Sequence, residues 1–206
     1  MLWGGHNGGL ELRKRASGAL ALRGRFPYGK RAVLSDGGRT GRPRKEVIAP
    51  RAFAYRVERP EEDIHFLVGH SYDQPLASRK AGTLTLQDTD EALIFEAEIS
   101  EQIQRATFWQ NFWAAYESGL MVGLSPGFRI PPPRTVPDAE TIEEEDPAEG
   151  TAIIRTVNQA LLYEISAVTR PAYDETQIEA RNWQPESGNG CHREHQVAAH
   201  LKRWRL

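Results

Sequence analysis

Gly119-Leu120-Met121-Val122-Gly123-Leu124-Ser125-Pro126-Gly127-Phe128 decides between two folds. Within it, Gly123-Leu124-Ser125-Pro126-Gly127 matches G-x-S-x-G, the nucleophile elbow of the α/β-hydrolases, which needs a strand before the serine and a helix after it. The apolar run up to Leu124 suits the strand. Pro126, Gly127, Pro131, Pro132, Pro133 and Pro137 exclude the helix, because an interior proline removes a backbone hydrogen bond and clashes with the preceding turn. Ser125 is then either part of a turn leaving a strand or the nucleophile of a serine hydrolase of another design. The flanking glycines remove Cβ bulk, so a substrate backbone could approach the hydroxyl closely.

The chain around this stretch is long enough, at 206 residues, for one sizeable domain with its own core. Its 39% hydrophobic and 26% charged content is that of an ordinary globular protein. No apolar run reaches the roughly 18 to 20 residues of a membrane span, and the N-terminus does not read as a signal peptide, so no membrane partner is expected. A single cysteine, Cys191, excludes an internal disulfide and suits a reducing compartment. The net charge of −2 conceals an asymmetry: residues 1–59 hold 14 basic and 4 acidic side chains, so the remainder is strongly acidic. A basic third can steer an acidic partner. No stacking motif or finger spacing supports specific nucleic-acid binding, and neutralisation by the acidic remainder is the simpler reading.

In chain order, residues 1–16 read as a flexible arm, residues 17–181 as the functional domain and residues 182–206 as a tail. Ala19 to Phe26 alternates as a strand that runs into a Pro-Tyr-Gly turn. Asp63-Ile64-His65-Phe66-Leu67-Val68-Gly69-His70 is a compact strand, and alternation places Ile64, Phe66, Val68 and His70 on its buried face. A histidine there is either a satisfied core residue or a base held on a rigid element. Residues 81–87 and 92–99 form a hairpin. Ser100 caps a helix expected to run to about Ser118, with Gly119 as its stop. Its aromatic side chains suit packing or self-association. Residues 131–150, with four prolines in the first seven positions and seven acidic residues, read as a mobile loop. Leu161 to Thr169 is the strongest strand, and alternation places Leu162, Glu164, Ser166 and Val168 on one face. A buried carboxylate there needs a partner, either a structural arginine or a histidine. A short helix is expected from Gln177. Cys191, His192, His195 and His200 fit no common zinc spacing, so no metal is expected.

His70, Ser125 and Glu164 supply base, nucleophile and orienting carboxylate, a constellation that recurs on unrelated folds. At this point the chain resembles the prohead (capsid maturation) serine proteases of tailed bacteriophages. Glu46-Val47-Ile48-Ala49-Pro50-Arg51-Ala52-Phe53 is similar to that family's E-x-I-x-P-G-A-F, and Leu67-Val68-Gly69-His70-Ser71 to its L-x-N-H-D. The Ser125 stretch is similar to its G-x-x-x-G-x-S-x-G-F, and Tyr163 to Tyr173 to its E-x-S-x-V-x-x-P-A-Y. Arg51, Gly69 and Ser71 depart from the usual glycine, asparagine and aspartate.

The resemblance implies a β-rich α+β fold, a small β-barrel with peripheral helices like the herpesvirus capsid proteases. It implies catalytic His70 and Ser125, with Glu164 as the third member, and backbone donors at Ser125 and Gly127 for the oxyanion. The implied substrates are the major capsid protein or its scaffold domain, and the protease itself. The implied place is the procapsid in the host cytoplasm. No cofactor is implied, and portal contact and homo-oligomerisation stay open. Two alternatives stand beside it. One is a non-catalytic capsid-assembly or scaffold module of the same fold. The other is an esterase that uses Ser125, Asp174 and a C-terminal histidine.

Overall fold

The computed structural model describes residues 2–3, 11–14, 19–121, 123–171 and 177–179. Strand periodicity dominates, as the alternating sequence requires. The elements are β1 (Leu2–Trp3), β2 (Glu11–Lys14), β3 (Leu20–Pro27), β4 (Arg31–Ser35), β5 (Arg44–Ile48), α1 (Ala54–Val57), β6 (His65–Val68), β7 (Ser71–Ser78), β8 (Leu84–Asp88), β9 (Ala92–Ile99), α2 (Glu101–Arg105), α3 (Thr107–Glu117), β10 (Gly123–Arg129), β11 (Glu140–Glu144), β12 (Ile153–Val157), β13 (Leu161–Val168) and β14 (Gln177–Glu179).

The strands form three sheets, ordered β1-β14-β3-β9-β8 with β2 also on β3, β10-β13-β6-β7, and β11-β12-β5-β4. The β-rich class with few helices is as expected. The closed barrel is not what the described strands form: each of the three sheet orders is open. Most neighbours are antiparallel, but β13 runs parallel to β6 and β12 parallel to β5. One apolar core draws on all three sheets and on α3, with Leu22, Phe66, Phe95, Phe112, Val157 and Ile165 among its members. No described helix is long and apolar enough to cross a membrane.

Where the structure departs from sequence expectation, the cause is local geometry or a distant partner. The helix after Ser100 is two helices. Ser100 does cap α2, accepting from the Ile103 N–H at 3.3 Å, but Ala106 is extended (φ −70, ψ 142) and breaks the run. Trp109, Phe112 and Tyr116 then form the buried stripe of α3, at helical spacing. Gly119 stops α3 as expected, with φ 78. Its N–H bonds the Tyr116 carbonyl at 3.0 Å and the Leu120 N–H bonds that of Ala115 at 2.8 Å. These are the two bonds of a Schellman cap, and they turn the chain toward β10.

The acidic segment read as a loop contains β11, which pairs with β12 along its whole length. The segment read as an arm contains β1 and β2, and β14 stands where a short helix was expected. The charge asymmetry is partly neutralised at the β11-β12-β5-β4 sheet. Arg42 meets Glu144 at 2.9 Å, Arg31 meets Glu149 at 2.9 Å, and Lys45 bonds Glu145. These bonds hold the Glu145 and Glu144 carboxyls below the usual carboxylate range, chiefly through the Lys45 and Arg42 hydrogen bonds respectively. Cys191, His192, His195 and His200 lie outside the described residues, as does Asp174.

Candidate active site

The site is built where a tight turn, a bulge and an edge strand meet on the β10-β13-β6-β7 sheet. β6 and β7 are joined by two residues, Gly69 and His70, with Val68 paired to Ser71 across the turn. Both turn residues are left-handed, with φ 60 and 62, the signature of a type I′ hairpin. Alternation therefore ends at Val68, and His70 does not continue onto the core face with Ile64, Phe66 and Val68. Its side chain is 47% exposed and turns toward β13. The Gly69 N–H bonds the Ala167 carbonyl at 2.9 Å, and the His70 N–H bonds the Ser166 hydroxyl at 2.9 Å. These two bonds tie the turn to β13.

Glu164 is the partner of His70. Its Oε1 lies 2.7 Å from His70 Nδ1, and its Oε2 accepts from the Ser166 hydroxyl at 2.7 Å. The carboxylate side chain is only 5% exposed, so both oxygens are spent inside the protein. Of the two partners open from sequence, arginine and histidine, the structure supplies the histidine. A bulge puts the carboxylate there. Gly127 faces Glu164 but Phe128 faces Leu162, which leaves Tyr163 as the extra residue. The bulge separates Leu162 from the face on which alternation had grouped it with Glu164. Leu162, Ile165 and Ala167 join the core, while Glu164 and Ser166 meet His70.

Gly127 is needed by this carboxylate. A Cβ built there would lie 1.9 Å from Glu164 Oε1 and 2.6 Å from its Cδ, far inside van der Waals contact. The carboxylate crosses β10 in the space that the missing side chain leaves. Ser125, two residues earlier on the same strand, is half-buried and faces Ser166 across the ladder. Directly opposed residues share a face, with Cβ atoms about 5 Å apart. Ser125 thus stands on the Glu164 side of the sheet, beside the hydroxyl that bonds both His70 and Glu164. Its own hydroxyl makes no hydrogen bond among the described residues, so His70 and Glu164 are brought into contact while Ser125 is a close neighbour. β10 continues past Ser125 to Arg129 with no helix after it, so the α/β-hydrolase elbow is absent.

Ser166 was placed on this face by alternation, but its two hydrogen bonds, accepting from the His70 N–H and donating to the Glu164 carboxylate, were not foreseen. The one signal was its i+2 spacing from Glu164. Gly127 and Ser166 are thus part of the site without belonging to the expected triad. No group of three metal-ligating side chains stands together among the described residues.

The sequence profile of the caudovirus prohead serine proteases matches residues 36–189, which takes in β5 through β14 and every residue of the site. The chain belongs to this family. No curated protein and no solved structure matches it. Membership makes it a phage capsid-maturation protease of the serine peptidase class in general terms. Two of the departures from the family pattern fall at left-handed backbone positions. Gly69, in place of asparagine, occupies a left-handed turn position that glycine adopts freely. Arg51, in place of glycine, is held at φ 56, where glycine would carry no strain. Arg51 bonds Glu58 and, at 3.3 Å, the Asp88 carbonyl.

Proposed function

We propose that Ser125 is the nucleophile, His70 the general base and Glu164 the orienting carboxylate of an endopeptidase that trims the capsid protein or its scaffold domain, and its own chain, inside the procapsid. The observation that carries this reading is the 2.7 Å contact between His70 Nδ1 and a buried Glu164 carboxylate, on the sheet face that also bears Ser125. With Nδ1–H donating to Glu164, the other ring nitrogen is the acceptor, as a base requires. His70 Nε2 takes the Ser125 proton while Oγ attacks the peptide carbonyl. The imidazolium, stabilised by Glu164, returns the proton to the leaving amine. Water then attacks the acyl-enzyme with His70 again as base. The backbone N–H groups of Ser125 and Gly127 are the proposed oxyanion donors. The fold relation to the herpesvirus capsid proteases remains part of the proposal.

That Ser125 makes no hydrogen bond among the described residues favours one other reading, a non-catalytic assembly module of the same fold. Catalytic hydrogen bonds often tighten only when substrate is bound, so the enzymatic reading is preferred. Co-expression with the neighbouring capsid gene separates the two, with wild type beside Ser125→Ala and intact mass as the readout. Trimming of the capsid protein and of the protease in wild type alone is expected. Shells that assemble with every chain uncut in both lanes would favour the assembly module.

A further inference from the structure

We propose that Arg129, held over the Tyr163 ring, is a recognition subsite for an acidic side chain of the peptide substrate, three to five residues from the scissile bond. The proposal rests on the protease reading above. Ser125, Gly127 and Arg129 alternate along β10 and share one face. At about 3.3 Å per residue, Arg129 stands roughly 13 Å from Ser125, the span of about four residues of an extended peptide. A substrate laid over Ser125 along this face meets Arg129 at that distance.

The bulge that aims Glu164 also sets Tyr163 on the sheet at this point. The Arg129 guanidinium lies 5.5 Å from the Tyr163 ring centroid and that of Arg56 4.2 Å. The two cations differ in their commitments. Arg56 is buried and neutralised, with Nη2 on Glu62 at 2.5 Å and on the Asp63 carbonyl at 3.2 Å. Arg129 is exposed and has no carboxylate partner among the described residues. Beyond Tyr163 a cleft of about 390 Å³ opens, lined by Tyr55, Pro131, Pro132, Val136 and Leu161 among others. This wall is mostly apolar and suits the chain that flanks an acidic residue. The Tyr72 hydroxyl, on a side chain that is largely exposed, is held above the usual phenol range, chiefly by partial desolvation, and feels Glu164, Arg56, Tyr163 and Arg129. The subsite and the orienting carboxylate therefore share one electrostatic neighbourhood. A carboxylate brought to Arg129 gains a cation that no described carboxylate neutralises, and an ammonium there is repelled.

The test is the cleavage profile of the full chain on a peptide library made by digesting a bacterial proteome, read by mass spectrometry. Wild type should enrich Asp and Glu about five-fold at one position three to five residues from the cut, the scale of a partly exposed ion pair. Arg129→Glu should invert that preference to Lys and Arg, and Arg129→Gln should abolish it. An acidic preference that persists in Arg129→Glu, or no acidic preference in wild type, overturns the subsite. Binding of Ser125→Ala to fluorescent decapeptides that differ only in a Glu, Gln or Lys at that position tests the subsite without turnover. Equal affinities overturn it. Affinities ordered Glu, Gln, Lys with no cleavage by wild type would uphold the subsite and sink the protease reading instead.

Discussion

A missing side chain decides whether Glu164 can serve His70. Gly127 leaves the space that the carboxylate crosses, and a Cβ there would meet Oε1 at 1.9 Å. Gly127→Ala should leave the fold intact and displace the carboxylate by about an ångström, enough to lower kcat on the order of 100-fold. Glu164→Asp added to it, with a carboxylate one methylene shorter, should recover part of that loss. Steady-state kinetics on the cognate substrate, with circular dichroism as the control, reads both variants; full activity in Gly127→Ala would remove its supporting role. Arg51 gives a second residue-scale prediction. At φ 56 a side chain costs about 1 kcal/mol or more relative to glycine, while the exposed Glu58 pair returns less than about 1 kcal/mol. Arg51→Gly should therefore be near neutral, and Arg51→Ala, which keeps the strain and loses the pair, should be the less stable by about 1 kcal/mol in thermal unfolding. From sequence, the glycine motif around Ser125 was visible. That Gly127 makes room for the carboxylate depends on β13 lying opposite, a partner about forty residues away in the chain.

At the scale of elements, strands were legible wherever alternation was clean, as in the β8–β9 hairpin. The steps between elements were not. Alternation carried His70 onto the core face because it could not foresee two left-handed residues in succession, although Gly69 was the one local hint. It grouped Leu162 with Glu164 because a bulge has no signature along a single strand; only the register against β10 reveals it. The single helix read after Ser100 became two because Ala106, an ordinary helix former, is held extended. The turn yields a prediction of its own. Gly69→Asn keeps a residue that tolerates positive φ and should retain activity, whereas Gly69→Val places a β-branched side chain at φ 60, a strained conformation. Gly69→Val should destabilise the protein by about 1–3 kcal/mol and uncouple His70 from Ser166 and Glu164. Thermal unfolding and turnover should fall together in Gly69→Val. A fully active Gly69→Val would mean that the turn does not set the histidine.

Across the whole molecule, the parallel pairings of β13 with β6 and of β12 with β5 bring distant motifs together, and no local pattern announces either. The charge asymmetry was legible, but its meaning came only from the sheet that sets Arg31, Arg42 and Lys45 against Glu144, Glu145 and Glu149. Those pairs give stability a pH dependence of known sign. Glu144 and Glu145 are held below the usual carboxylate range by their cationic partners. A carboxyl depressed in the folded state contributes stability that is present above its ordinary value, about 4.3, and is lost as pH falls through the folded value. Asp88 runs the other way. Burial raises its carboxyl despite the 2.5 Å hydrogen bond from the Tyr28 hydroxyl, so its contribution weakens as pH rises. Lys45→Met should lower the melting temperature at pH 7 and flatten its fall below pH 5, because Glu145 then titrates nearer its unfolded value. Tyr28→Phe should cost about 1–3 kcal/mol at pH 7, where it strips a buried carboxylate of its donor, and less at pH 4, where Asp88 takes up a proton more readily. Melting curves of the three proteins between pH 3 and 8 check both signs. Parallel curves for Lys45→Met and wild type would remove the Lys45–Glu145 pair from the origin of acid lability.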